Sequence, residues 1–478
     1  MKVKNEKPMI LWYGKLFYGG GTLSYAAVAQ TCLGLLMLFA TDAHGMPPWL
    51  AGIALAIGFM FSAAAGPVTA YFSDRTKSVM FGRRFGYILP AVFLTAFLNI
   101  ILFTMPEGIH AGLKFLWLTC FLSLLNICIS ALAVPHSALG NELAGDKRES
   151  EVIVHYRKVF FLIALAVPTL LLGILIRDTS AASGYVNLAL INSSIVLISG
   201  LLCFFATYPH LPRLNAKSQG LVLPKLTLKQ IFGSFFESLK ERSRRYIVLG
   251  YTVSMMALAF LTGAGLHFFR YTMNFSALQM TLVLSALFLF VIVSQPFWLR
   301  LSKKYDKKRL ILSGTVTALA GILLICVFFS LYRYAGVLSN PVYFFIPAMA
   351  VTGAGGGAMH ALPLTMLTES YPGEQNKTRQ AGFMSFIFKA SQAAVLLLAG
   401  ILLTAFGFSG AKAAQSELTL DALGWIAVLG SSLALGAAVF MYMKTGTKEK
   451  VKEITNYNVQ ITNAETDETE NIKEKTNV

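Results

Sequence analysis

Twelve mostly apolar runs follow one another along the chain, near 16–40, 49–72, 86–105, 114–138, 159–176, 185–207, 247–269, 277–299, 310–332, 342–367, 381–407 and 421–443. Charged residues are concentrated in the joints between them. A helix of roughly 20 apolar residues crosses about 30 Å of hydrocarbon, so each run has the length of one crossing. Hydrocarbon offers no water to open backbone groups, so each run is predicted to be a helix. Porin-like strands would alternate apolar and polar residues over about ten positions, and the charge-free stretches 87–105 and 428–443 do not. The expected fold is an all-α membrane protein with twelve transmembrane helices in two six-helix bundles.

Composition agrees with that pattern. Hydrophobic residues make up 55% of the 478, charged residues 13%, and the mean hydropathy is +0.62. A soluble protein would carry about a quarter charged residues, so a cytosolic enzyme, a disordered chain and a disulfide scaffold are excluded. Cys32, Cys120, Cys128, Cys203 and Cys326 all lie inside apolar runs without the close pairing a metal site needs, and they read as reduced core residues. Phosphate-binding loops, nucleophile elbows and zinc-ligand clusters are missing from the sequence, so neither an enzyme nor a cofactor nor a metal is expected.

The net charge of +17 invites a nucleic-acid reading, but position decides what a basic excess means. Taking the N-terminal side with every second loop and the tail, 34 Lys and Arg lie on one side, against Lys114, Arg177, Arg270, Arg333 and Lys412 on the other. Cytoplasmic loops carry the basic excess. Both termini are therefore expected in the cytoplasm of a multi-pass cell-membrane protein, with no nucleic-acid partner.

The longest connection divides the runs six and six. The expected organisation is a cytoplasmic N-terminus (1–15), a first six-helix bundle (16–207), a central loop (208–246), a second bundle (247–443) and a disordered cytoplasmic tail (444–478). Within the loop, Thr227 opens a capping box with Gln230 ahead of a helical apolar stripe from Leu228 to Leu239, read as an amphipathic helix at the inner leaflet or beneath the bundle. The halves also repeat one another. The second and eighth runs are each followed by a short basic loop, and Pro135 and Pro363 precede Glu142 and Glu369 by seven and six residues. Such internal symmetry marks transporters that rock two related bundles around a midplane site.

Three segments carry a resemblance. They are Phe72-Ser-Asp-Arg-Thr-Lys-Ser-Val-Met-Phe-Gly-Arg-Arg84, Val134-Pro-His-Ser-Ala-Leu-Gly-Asn-Glu-Leu143 with Asp146 and Arg148 after it, and Phe388-Lys-Ala-Ser-Gln392. They resemble the major facilitator superfamily, and within it the glycoside-pentoside-hexuronide:cation symporter branch to which melibiose permease belongs. The resemblance implies the major facilitator fold, alternating access and a sugar-like substrate moved with a cation. Departures narrow this. Aligned on Pro67, the branch's cation-binding acids of the second run fall on Ser62 and Gly66, and its sugar-binding acids of the first and fourth runs on Ala26 and Ala133. No Asp or Glu lies in the middle of any run.

Polar residues inside the runs are the candidates for substrate contact, because each is costly unless it faces other helices or water. Lys389 leads, its backbone about 12 Å inside the membrane if the eleventh run begins near residue 381. Gln392, His360, Asn126, Gln30 and Tyr251 accompany it, while His267 reads as a solvated residue at the mouth of the seventh run. Asp74, Arg83 and Arg84, with Glu142 and Arg157 across the next inner loop, are expected to hold one arrangement of the bundles against another. The expected function is secondary active or facilitative transport of a small organic solute by a monomer, sugar-symporter-like, with protons, exchange or the substrate gradient in place of sodium. The alternatives are a carrier of an anionic or amphipathic lipid-like solute and a membrane sensor or scaffold without transport.

Overall fold

The computed structural model describes residues 10–218, 239–370, 374–412 and 414–445. Among them are 12 helices of membrane-crossing length and no strand. They are α1 (Trp12–Ala43), α2 (Pro48–Arg75), α3 (Phe85–Phe103), α4 (Ala111–Leu143), α5 (Arg148–Leu175), α6 (Ala182–Ala216), α7 (Arg242–Thr272), α8 (Ala277–Leu301), α9 (Lys307–Arg333), α10 (Val342–Leu367), α11 (Gly382–Ala405) and α12 (Glu417–Met443). Every apolar run is thus a helix. The amphipathic segment from Thr227 and the tail beyond residue 445 lie outside the described residues. The end of the molecule that carries Arg84, Arg157 and Lys307 is called the basic end below, and the opposite one the far end.

Several helices outrun their apolar stretch, because backbone hydrogen bonding does not stop where hydrocarbon does. α5 begins in a charged turn where the Glu149 N–H donates to the Asp146 side chain at 2.6 Å, a normal N-cap. The tail of α1 matters more. After Leu38 it widens into a π turn over Phe39–Ala43, which carries Thr41 and Asp42 into the buried end of the helix. π turns interrupt α7 as well, at Phe260–Ala264 and Phe268–Thr272.

Each half packs mostly on itself. In the first, α4 lies against α2 and α3, and α1 against α5 and α6; in the second, α10 lies between α8 and α9, and α7 against α12. The run Gly353-Ala-Gly-Gly-Gly357 explains how α10 fits. A Cβ at Gly353 would stand 2.2 Å from the Leu287 carbonyl oxygen of α8, and one at Gly355 2.2 Å from the Gly314 carbonyl oxygen of α9. These glycines let backbones touch, as expected for small residues between membrane helices.

Between the halves the contact is one-sided. At the far end Gly52 of α2 and Gly400 of α11 meet backbone to backbone, a Cβ at Gly400 falling 2.4 Å from the Pro48 carbonyl oxygen. The Trp49 N–H donates to Thr404 Oγ1 at 2.9 Å, and Thr281 Oγ1 of α8 donates to the Thr169 carbonyl of α5 at 3.1 Å. Toward the basic end, a Cβ at Gly66 of α2 or Gly382 of α11 would meet nothing within 4 Å.

Candidate functional site: a lysine between the halves

Lys389 of α11 reaches across to the first half. Its Nζ donates to the Ser62 carbonyl of α2 at 3.1 Å and to Ser130 Oγ of α4 at 3.3 Å. Both partners are prepared by the packing of α2 on α4. Ser130 Oγ donates to the Ser62 carbonyl at 3.3 Å, and one turn away Asn126 Nδ2 donates to the Gly58 carbonyl at 3.1 Å. The ammonium therefore lies on a small cradle of oxygens supplied by the opposite half. None of these oxygens is ionised, so the positive charge has no counter-ion among the atoms it bonds.

The other candidates are dispersed around this point. Gln392 follows on the same helix and is buried. His360 of α10 lies edge-on to Phe388, the residue before Lys389 on α11, with ring centroids 6.3 Å apart. Asn126, 2% exposed, is committed to α2 through its bond to the Gly58 carbonyl. Tyr251 packs with Ile247, Leu367 and Phe383 inside the second half. Gln30 lines a different space, a narrow cleft between α1, α5, α7 and α8 whose walls include Gly34, Thr169, Thr262, Leu266 and Phe288. Its lining is nearly all apolar.

The expected gating residues form a cluster at the basic end, arranged differently from expectation. Arg84, 6% exposed, is the centre. Its Nη2 is 2.6 Å from Glu142 Oε1 and 2.6 Å from Asp74 Oδ1, its Nη1 donates to Ser73 Oγ at 2.6 Å, and Arg83 Nη2 reaches the same Glu142 oxygen at 3.1 Å. Gly82 permits the turn that delivers both arginines, with φ of +57°, a conformation other residues rarely adopt. Burial works against the Arg84 charge, but Glu142 and Asp74 beside it hold the guanidinium above its ordinary range. Arg157 does not complete this cluster and instead donates to Ser137 Oγ. All the partners named belong to the first half. The second half repeats the arrangement in reduced form, Lys307 at the start of α9 pairing with Glu369 at the end of the α10 helix.

His267 is where sequence reading and structure diverge most. It is fully buried rather than solvated, because the end of α7 is pressed against the end of α1. Its Nε2 is 2.9 Å from Thr41 Oγ1 and 3.9 Å from Asp42 Oδ1, and Tyr271 OH donates to Asp42 Oδ2 at 3.0 Å. Asp42 lies just past an apolar run that reads as ending at residue 40, and nothing local marks it as buried. A second unforeseen contact is internal to the first half: Tyr18 OH donates to the His136 carbonyl at 2.9 Å, and the two rings stack at 4.4 Å.

Two helical halves that meet backbone to backbone at one end, with a lysine reaching from one to the other between them, are an arrangement that membrane transporters use. The chain belongs to the MFS/sugar transport protein family, whose profile matches residues 17–445. An uncharacterized symporter of Synechocystis, sll1374, is 32% identical over 30% of this chain and 28% of its own length. The zebrafish (Danio rerio) protein called sodium-dependent lysophosphatidylcholine symporter 1-A is 22% identical over 92% of this chain and 87% of its own. Among solved structures, the chain resembles a bacterial homolog of the human lysosomal transporter Spinster, recorded as inward-facing and unoccupied. The TM-score is 0.59, the identity 12%, and the match covers 92% of this chain and 96% of that one. That likeness concerns the fold. Family and fold together make the protein a multi-pass membrane transporter and not an enzyme.

Proposed function

We propose that the protein carries a single-chain amphiphile with an anionic or zwitterionic head, and that Lys389 receives the negatively charged part of that head. The observation that carries this reading is an ammonium cradled by the neutral oxygens of Ser62 and Ser130, a charge that favours a matching anion in a medium of low dielectric. The cleft between α1, α5, α7 and α8 supports the second half of the reading. Its polar lining is Gln30 and two threonines among leucines, a proline and a phenylalanine. A sugar presents a hydroxyl on nearly every carbon, and each one left unpaired there would cost about 1–3 kcal/mol. The name of the zebrafish relative points to the same substrate class.

With the basic end in the cytoplasm, as the charge distribution favours, the conformation is inward-open and the far end faces outside. Lys389 then acts with Gln392 and His360 at the head group, and the Arg84 cluster keeps the first half rigid while it rocks. Sodium has no carboxylate at Ser62 or Gly66 to bind, so the drive comes from elsewhere. The deciding experiment is uptake by the purified protein in proteoliposomes of radiolabelled lysophosphatidylcholine against a radiolabelled glycoside. Saturable uptake of the lysophospholipid alone is expected; saturable uptake of the glycoside alone would return the sugar reading, and uptake of neither would favour a sensor or scaffold.

A further inference from the structure

The far-end seal contains a carboxylate that the substrate site does not use. Asp42 is 7% exposed and His267 fully buried. Asp42 Oδ1 accepts a hydrogen bond from Thr41 Oγ1 at 2.9 Å, and Oδ2 accepts from Tyr271 OH at 3.0 Å and from Thr179 Oγ1 at 3.3 Å. These donors come from α1, from α7 and from the turn between α5 and α6. The Tyr271 bond and the approach of His267 both cross from one half to the other. Outward opening must break both and admit water to both groups.

The other titratable or charged groups around the seal are unsuited to hold a proton that comes and goes near neutral pH. They are Arg270 on α7, Tyr185 on α6, Tyr271 itself, Asp178 in the turn, and His44 with Lys114 behind it. Arg270 makes no ion pair with Asp42 among the described residues, though its charge acts on that carboxyl, while tyrosines remain neutral in this range. Hydrogen bonds from the Ser180 backbone and side chain hold Asp178 below the usual carboxylate range. Burial, and then the Lys114 charge, hold His44 below the usual histidine range. Asp42 and His267 remain. Open to water at neutral pH the pair carries one negative charge; sealed, the carboxylate keeps its three hydroxyl donors but loses water and has no ion pair within hydrogen-bond reach among the described residues, which disfavours the charge. One added proton neutralises the site, whether it rests on the carboxyl or makes a histidinium beside it.

We propose that Asp42 and His267 form a proton-binding site in the far-end seal, taking one proton from the outer solution as the seal closes and returning it to that solution as it opens. Acid outside then favours the inward-open form, and alkali outside favours outward opening. The proton does not travel with the substrate, since the side that delivers it also recovers it. This inference rests on the orientation proposed above but not on the amphiphile reading.

The test needs no substrate. In full-length protein with its five cysteines replaced by serine, Gly34→Cys places a thiol in the cleft below the seal, where a Cβ meets nothing within 4 Å. Its labelling in intact cells by an impermeant reagent is measured from pH 5.5 to 8 and normalised to Ser339→Cys in the loop between α9 and α10, which cancels the reagent's own pH dependence and reports the orientation separately. Normalised labelling is expected to rise with pH, by at most about tenfold per unit, the limit for one proton. Adding Asp42→Asn, a mimic of the protonated acid, should leave labelling low and flat. If that variant fails to reach the membrane, Thr179→Val with Tyr271→Phe removes two donors from the carboxylate and should displace the midpoint while keeping the dependence. A flat profile before Asp42 is touched, an unchanged profile in the Asn variant, or an unmoved midpoint in the double variant would overturn the proposal.

Discussion

At the basic end, the ion pairs described join helices of the same half: Arg84 ties α3 to the ends of α2 and α4, and Lys307 ties α9 to the end of the α10 helix. At the far end, polar contacts also join one half to the other, through Thr41 with His267, Asp42 with Tyr271, Trp49 with Thr404 and Thr169 with Thr281, beside pairs that stay within a half, such as Arg333 with Glu417 and Asp421. The difference lies in placement rather than chemistry. A pair within a half moves with it and survives rocking, so it contributes stability. A contact across the halves exists in one state only, so it sets which state is populated.

Lys389 stands where the two regimes meet, and its loss should have the largest effect. Lys389→Ala is expected to abolish uptake at matched surface abundance, and Lys389→Arg to be partly active, because a guanidinium is broader and differently hydrated. Near-normal uptake by the alanine variant would show that the ammonium only relieves its own burial. Next comes the far end. Gly400→Val would drive a side chain into the α2 backbone and should prevent closure, lowering uptake by about tenfold or more, equivalent to about 1.4 kcal/mol or more against the sealed state, while raising outside labelling of Gly34→Cys. Reduced labelling in that variant would contradict the role given to the seal.

At the basic end, effects should appear in stability. Glu142→Gln leaves the buried Arg84 with Asp74 as its remaining acid, a loss of about 3 kcal/mol for breaking a mostly buried pair, read as a lower unfolding temperature in detergent. Glu369→Gln should cost under about 1 kcal/mol, since the Glu369 side chain is 53% exposed and water already screens it. Equal losses from the two would break the account that burial separates these related pairs. The smallest expected change is that of sodium for choline at fixed pH and potential. Uptake should hardly respond, and strong stimulation would reveal a cation cage of carbonyls and hydroxyls.

Much of this was legible beforehand. The apolar runs placed all 12 helices, and the charge pattern with the two Pro-to-Glu spacings set the basic loops and both acids of the repeated pairs in equivalent positions. Lys389 stood out as a cation in mid-span. Its cradle was not readable, because a bare carbonyl at Ser62 becomes a partner only once α11 lies across α2. For the same reason Glu142 met Arg84 rather than Arg157, a choice made by the turn at Gly82.

The sequence by itself determined where the helices run and how many there are, because hydrophobic transfer and backbone satisfaction are decided locally, residue by residue. Only the tertiary structure decided which polar groups are buried against what. Asp42 and His267 stand more than 200 residues apart, one just beyond an apolar run and the other near the end of one, and each alone would be solvated. What withdraws them from water is the other half of the molecule pressing on the far end, and the cost of burying a charge is a property of that assembled environment rather than of either segment.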